Sequence, residues 1–169
     1  TLKQSLEDIA RKVVSLSLGT TQRAQAAVPN LVASYNFNEG TGISAIDSSG
    51  NNNTGTLFGA TWNTTGKTGG SLTFSGTNYV NLGNPATLNF PGSFTLSAWI
   101  YPTSLSGDKD IITKVSGGSD YHLQFTNTTE LQLGFSNGGN WYGQNVTPNI
   151  PINTWTHVTG IFDDANNLF

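Results

Sequence analysis

Cysteine and methionine are both absent from the 169 residues of this chain. The absence of cysteine excludes disulfide bonds and thiolate metal sites. It does not exclude a location outside the cell, because a domain with a sizeable hydrophobic core needs no covalent staple. The absence of methionine indicates that residue 1 is not a native start, so we expect the chain to be a piece of something longer.

Charged residues are also scarce, at 10% of the chain, and the formal net charge is −3. This charge gives no electrostatic footprint for nucleic acid. No apolar run is long enough to cross a bilayer. The residues that abound instead are Gly, Ser, Thr and Asn. They favour an all-β protein whose turns are built from small polar side chains.

Residues 1–30 differ in texture from the remainder. Leu2, Leu6, Ile9 and Val13 have helical spacing, whereas residues 14–18 alternate as a strand does, so this segment is predicted to be either helical or extended. We interpret residues 1–30 as the tail of a preceding region plus a linker. A signal peptide is the alternative, but its apolar stretch is short and Arg23 lies on the wrong side of it.

The strongest strand pattern covers residues 93–101. One face is wholly apolar, and the other is polar and ends in two aromatic residues; the apolar residues are Phe94, Leu96, Ala98 and Ile100, and the others are Thr95, Ser97, Trp99 and Tyr101. This alternation predicts a strand with one face in the core. Gly92 and Pro102 bound it.

Weaker strands are predicted on both sides of it, at residues 31–37, 56–62, 71–74, 79–82, 110–115, 121–126, 130–135 and 155–162. Residues 71–74 and 79–82 are expected to form a hairpin around the turn at 75–78. Short strands separated by Gly, Asn and Ser turns at this spacing indicate a β-sandwich or a barrel.

Five segments, in this order, resemble bacterial laminin-G-like, concanavalin A-like domains: LVASYNFNEGTG (31–42), DSSGNNNTG (47–55), GGSLTFSG (69–76), SFTLSAWI (93–100) and NTWTHV (153–158). The resemblance implies an antiparallel jelly-roll β-sandwich over residues 31–169. Such domains are usually modules of large secreted or surface proteins. Because they continue with further strands after the Trp-x-His-Val segment, the domain is expected to be incomplete at its C-terminus.

Glucan-cleaving enzymes with the implied fold use a Glu-x-Asp-x-Glu cluster, because a retaining mechanism needs two carboxyl groups about 5 Å apart. Neither Glu39 nor Glu130 has a second carboxylate two or four residues away, and Asp108 and Asp110 fall in a polar stretch. The sequence also contains no nucleophile elbow. We therefore expect no catalytic residues and no enzyme activity.

A cluster of oxygen-bearing side chains occurs at residues 47–53. Asp47, Asn51 and Asn53 supply the hard oxygen ligands that Ca²⁺ prefers, and the resemblance implies that calcium often binds to such sandwiches. A calcium site is the prediction here. The alternative is that these residues only form turns, with side chains bonded to the local backbone.

Trp141 and Tyr142 lie between glycines and amides, which predicts a loop or the edge of a loop with an exposed aromatic pair. Aromatic rings stack on the apolar face of a sugar while amides bond its hydroxyls, so this segment is the predicted carbohydrate site, with Asn140, Gln144 and Asn145 as polar contacts. The alternative is that the aromatics fold back onto the sandwich. Trp99 and Trp155, on predicted strands, are expected to belong to the core.

The function expected from these observations is a non-catalytic binding or adhesion module of an extracellular bacterial protein. Carbohydrate is the leading ligand class, and the partners are cell-surface glycans and neighbouring domains of the same polypeptide. A structural spacer domain, or an ancillary domain of a glycoside hydrolase or protease, are the alternatives. Neither a nucleic acid partner nor a membrane span is expected.

Overall fold

The computed structural model describes residues 30–115, 120–126, 130–137 and 140–166. The predicted tail and linker at residues 1–29 lie outside the described residues. Eleven strands form in the described part: β1 Ser44–Ala45, β2 Gly55–Phe58, β3 Thr61–Asn63, β4 Ser71–Thr73, β5 Tyr79–Asn81, β6 Phe94–Ile100, β7 Lys109–Lys114, β8 Tyr121–Thr126, β9 Glu130–Asn137, β10 Asn140–Val146 and β11 Thr156–Phe162. One 3₁₀ turn, Ala86–Leu88, precedes β6.

All strand pairings between these elements are antiparallel. The largest sheet has the order β10-β9-β8-β7, and β6 pairs with β11 in a second sheet. Two small sheets, β1-β2-β5 and β3-β4, come from the first half of the described chain. The chain is thus all-β, as the sequence predicts.

The core lies between the four-stranded sheet and the β6–β11 sheet. Alternate residues of each sheet point inward and are at most 8% exposed; from one sheet they are Tyr121, Leu123, Phe125, Leu131, Leu133 and Phe135, and from the other Phe94, Leu96, Val158 and Phe162. The ring of Phe162 lies 4.5 Å from that of Phe135 across the two layers. Two sheets packed face to face around interdigitated side chains form a β-sandwich.

The strand predicted at residues 31–37 does not form; only Tyr35 makes a β-bridge, to Asp47. Side chains of the following turn take the backbone groups that a neighbouring strand would use. The carbonyl of Val32 accepts hydrogen bonds from Ser49, Asn51 and Asn53. The N–H of Ser34 donates to the Asp47 carboxylate at 2.9 Å.

The hairpin predicted from residues 71–74 and 79–82 is also wrong. Its turn is present, with the Asn78 N–H donating to the Ser75 carbonyl. The strands on either side pair elsewhere, β4 with β3 and β5 with β2. The predicted strand at 56–62 is two strands, because the chain bends at Gly59, whose φ of +77° an L side chain rarely adopts.

Candidate functional site

Strand β10 contains the predicted sugar-binding residues, and its geometry corrects that prediction. Residues 140–146 are not a loop but a strand at the edge of the four-stranded sheet, fully paired with β9. Because neighbouring side chains of a strand point to opposite faces, Trp141 and Tyr142 do not form one aromatic pair. Asn140 and Gln144 share the face of Tyr142, whereas Asn145 shares that of Trp141.

Tyr142 lies on the inner side of the sheet. Its ring stacks on that of Phe135, with centroids 6.0 Å apart and an interplanar angle of 26°. Phe135 is only 3% exposed and belongs to the core. For Tyr142, therefore, the alternative of an aromatic folded back onto the sandwich describes the structure.

Trp141 lies on the outer face and is 52% exposed. Its indole packs against the imidazole of His122, with centroids 4.8 Å apart and planes tilted by 30°. These two rings belong to β10 and β8, so they meet across the intervening strand β9. The meeting requires a gap in the outer face of β9.

Gly134 supplies that gap. It pairs with His122 on one side and with Gly143 on the other. A Cβ at position 134 would come within 2.4 Å of the His122 ring and 2.8 Å of the Trp141 ring. Glycine at position 134 thus leaves room for both rings above the backbone of β9.

Next to the rings, four outer-face side chains form a continuous polar row. His122 Nε2 lies 2.7 Å from Gln132 Oε1, Gln132 Nε2 donates to Asn145 Oδ1 at 2.6 Å, and Asn145 Nδ2 donates to Glu130 Oε2 at 3.0 Å. Two flanking side chains join it: Gln124 Nε2 donates to Gln132 Oε1, and Thr126 Oγ1 donates to Glu130 Oε2. The platform is defined here as these outer-face residues of β8, β9 and β10: His122, Gln124, Thr126, Glu130, Gln132, Trp141 and Asn145.

The platform residues outside β10 are ones that the sequence analysis did not select as a site. The sequence pattern could have identified them, because the polar residues of β8 and β9 alternate with the buried aromatic and aliphatic ones. This alternation places the polar side chains together on the outer face of the sheet. The His122 side chain lies on the outer face of β8, between the buried residues Tyr121 and Leu123.

The platform as defined contains one carboxylate, that of Glu130, whereas a retaining glycosidase uses two. Asp110 pairs with Gln124, and Gln124 with Gln132, which is two residues from Glu130. Strand spacing places the backbones of Asp110 and Glu130 about 12 Å apart. A retaining pair needs carboxyl groups about 5 Å apart.

A second exposed aromatic group lies on the outer face of the β6–β11 sheet. Trp99 packs against His157, its partner across the strands, with centroids 5.1 Å apart, and Tyr101 packs against Trp155 at 5.5 Å. The Lys67 ammonium lies 4.6 Å from the centroid of Trp99. Since Trp99 is 49% exposed, its predicted place in the core is wrong, and Trp155 is only partly buried.

At the predicted calcium site, hydrogen-bond donors surround the carboxylate of Asp47. Oδ1 accepts from the N–H groups of Ser34 and Ser49, each at 2.9 Å. Oδ2 accepts from the Ser49 hydroxyl at 2.8 Å and from the Asn53 N–H at 2.9 Å. Burial raises the pKa of Asp47, but these hydrogen bonds together outweigh it and hold the pKa below its ordinary value.

The two asparagines likewise use their amides for the fold. The Asn51 nitrogen donates to the carbonyls of Leu31 and Val32, and the Asn53 nitrogen donates to that of Val32. Asn53 Oδ1 accepts from Thr87 at 2.7 Å. Because four donors occupy the Asp47 oxygens, the donor set of Asp47, Asn51 and Asn53 does not fit Ca²⁺ as folded, and the turn-forming alternative describes it better.

One carboxylate oxygen close to this turn is different. Among the described residues, Glu39 Oε2 is buried without a hydrogen-bond partner, while Oε1 accepts the Ile46 N–H at 2.6 Å. Glu39 lines a shallow depression with Asn36, Asn38 and Ser48. The described residues contain no group of three or more His, Cys, Asp or Glu side chains that is able to hold a metal ion.

The described strands form a β-sandwich, with the platform on the outer face of its four-stranded sheet. Residues 74–168 match the family model described as the concanavalin A-like lectin/glucanases superfamily, which is more than half of the chain. The chain belongs to this superfamily, whose laminin-G-like members are typically non-catalytic binding modules. No curated protein and no solved structure matches the chain. No helix in the described part is long and apolar enough to span a membrane.

Proposed function

We propose that this domain is a non-catalytic carbohydrate-binding module of an extracellular protein and that the platform is its binding surface. The observation that carries the proposal is the half-exposed indole of Trp141, held over Gly134 by His122 beside a row of amides and a carboxylate. An indole face is apolar and electron-rich, so it attracts the C–H-bearing face of a sugar ring. The adjacent amides donate and accept, as sugar hydroxyls also do.

The surroundings of Trp141 fit a binding role better than a structural one. A tryptophan that is 52% exposed contributes little core burial. The space above Gly134 is on the outer face of β9 and is occupied by the two rings. It plays no part in the packing between the sheets, because the inner face of β9 is formed by Leu131, Leu133 and Phe135. A location outside the cell is supported by the superfamily, whose laminin-G-like members are commonly extracellular.

A glycan array probed with the protein tests the proposal. Trp141→Ala is expected to reduce binding by about thirtyfold, since truncating an anchoring aromatic costs about 2 kcal/mol. Trp99→Ala is the matched control, because Trp99 is equally exposed and also packed on a histidine, but lies on the opposite sheet. Equal losses of glycan binding in both variants would show that the platform is not the binding surface. Binding retained by Trp141→Ala at an unchanged melting temperature would show the same.

A second candidate role is contact with a neighbouring domain through the β6–β11 face. The supporting observation is its group of exposed large side chains, with Trp99 at 49%, Tyr101 at 46% and Ile161 at 56% exposure. Large apolar side chains exposed on one face of a sheet are a feature of interaction sites. The test is solvent quenching of Trp99 fluorescence in a longer version of the polypeptide. Protection of Trp99 from quenching in the longer version would support this role.

A further inference from the structure

We infer that Glu130 is the specificity-determining residue of the platform and that it selects linear, uncharged oligosaccharides over carboxylated ones. This inference rests on the proposed function and adds the ligand class. It starts from Glu130, the one carboxylate in the polar row. An ionised carboxylate only accepts hydrogen bonds, whereas amides and imidazoles can both donate and accept.

The carboxylate therefore determines which atom donates and which accepts in each successive hydrogen bond of the row. Asn145 must present its nitrogen to Glu130, which leaves Asn145 Oδ1 facing Gln132. Gln132 must then present its nitrogen to Asn145, so Gln132 Oε1 faces His122 and Gln124. His122 is left to donate through Nε2–H, and Nδ1 of the neutral ring is the acceptor.

The length of the platform indicates a chain of sugars rather than a single one. Glu130 contacts Asn145, which is four residues from Trp141 on the same face of β10. At the rise of a β-strand this separation is about 14 Å, well beyond the width of one pyranose ring. A ligand stacked on Trp141 thus reaches Glu130 only if it continues along the strand.

The charge of the platform determines which oligosaccharide binds more tightly. The acidic side chains at outer-face positions of this sheet are Glu130 and Asp110, which lies opposite Gln124. The lysines of β7, at positions 109 and 114, pair with the inward-facing residues Phe125 and Tyr121. A uronic acid that reaches Glu130 would place two like charges together, which is unfavourable, whereas a neutral hydroxyl donates to the carboxylate.

The experiment compares matched linear oligosaccharides, neutral and with a uronic acid in place of a hexose, by isothermal titration. The wild-type protein is expected to bind the neutral member about two- to fivefold more tightly, the scale of an exposed charge pair. Glu130→Gln should narrow this ratio, and Asp164→Asn, which removes one charge elsewhere on the surface, should leave it unchanged. Equal affinities for both members in the wild type would overturn the inference while leaving the proposed function intact. Failure to bind any glycan would overturn both.

A readout that needs no ligand tests the orienting role. Nitrogen-15 shifts of the His122 ring should report the Nε2–H tautomer in the wild type. Glu130→Gln should give a mixture of tautomers, since an amide does not impose a hydrogen-bond direction. Glu130→Asp keeps the carboxylate and should retain the wild-type tautomer. An unchanged tautomer in Glu130→Gln would show that Glu130 does not orient the row.

Discussion

The indole of Trp141 packs against the imidazole of His122, with ring centroids 4.8 Å apart, although the two residues lie on strands that do not pair with each other. The contact passes over Gly134, on the strand between them. A glycine in a strand usually weakens it, so a glycine at this position indicates a close approach above the backbone. The platform therefore depends on a missing side chain as much as on those present.

Gly134→Ala should reduce ligand binding with little loss of stability. The new Cβ would lie 2.4 Å from the His122 ring, so both rings must swing outward, and ring ends are able to move into solvent. Glycan affinity and the free energy of unfolding are the measurements. Gly160→Ala is the control, because its Cβ would lie 2.8 Å from Leu133 in the core and overpacking there costs about 1–3 kcal/mol. A large loss of stability in Gly134→Ala with binding intact would contradict the account of the platform.

Tyr142→Ala should show the opposite result from Trp141→Ala. Tyr142 stacks on the core residue Phe135 and is 37% exposed, so its truncation removes buried apolar area. We expect a destabilisation of about 1–2 kcal/mol, measured by urea unfolding, and unchanged glycan affinity. If Tyr142→Ala instead weakens binding at constant stability, the two aromatics act together, as the sequence alone suggested.

Asp47→Asn should destabilise the fold near neutral pH. An amide offers one acceptor oxygen in place of two, so donors such as the buried Asn53 N–H lose their partner, at about 1–3 kcal/mol. Because the pKa of Asp47 is lower in the folded protein than in the unfolded chain, the unfolded chain binds more protons as pH falls. This contribution is thus present above about pH 4 and is lost as pH falls through the folded pKa.

The measurement for Asp47 is the free energy of unfolding at several pH values between 7 and 2, by denaturant titration. The difference between wild type and Asp47→Asn should shrink on the acid side. A difference that stays constant down to the lowest pH would show that the charge of Asp47 contributes nothing to stability.

The sequence was most informative where periodicity alone decides the structure. Strand β6 forms as its alternation predicts, with Phe94 and Leu96 buried and Thr95 and Ser97 exposed. The boundaries of β8 also agree with the prediction, since three large apolar residues alternate with polar ones. In both strands, burial of one face fixes the register and the orientation of every side chain.

The sequence was least informative where tertiary contacts decide. Strand β10 contains no β-branched residue except Val146 and is rich in Asn, Gln and Gly, which favour turns. It is extended because seven consecutive residues pair with β9. Conversely, residues 31–37 have strand-like composition but bond to the side chains of Asp47, Ser49, Asn51 and Asn53, a choice that no local pattern reveals.

Removal of calcium should leave the melting temperature unchanged, because the carboxylate of Asp47 already accepts hydrogen bonds at both oxygens. A calcium ion that binds the folded protein, at a free concentration about a hundred times its Kd, would stabilise the fold by about 2.7 kcal/mol. This corresponds to a shift of several degrees in Tm. Melting curves with calcium and with a chelator measure this shift in the wild type, in Asp47→Asn and in Glu39→Gln. A chelator effect abolished by Asp47→Asn would contradict the turn-forming account. A chelator effect that persists in Asp47→Asn but disappears in Glu39→Gln would instead place the ion at Glu39 Oε2, a buried carboxylate oxygen without a hydrogen-bond donor.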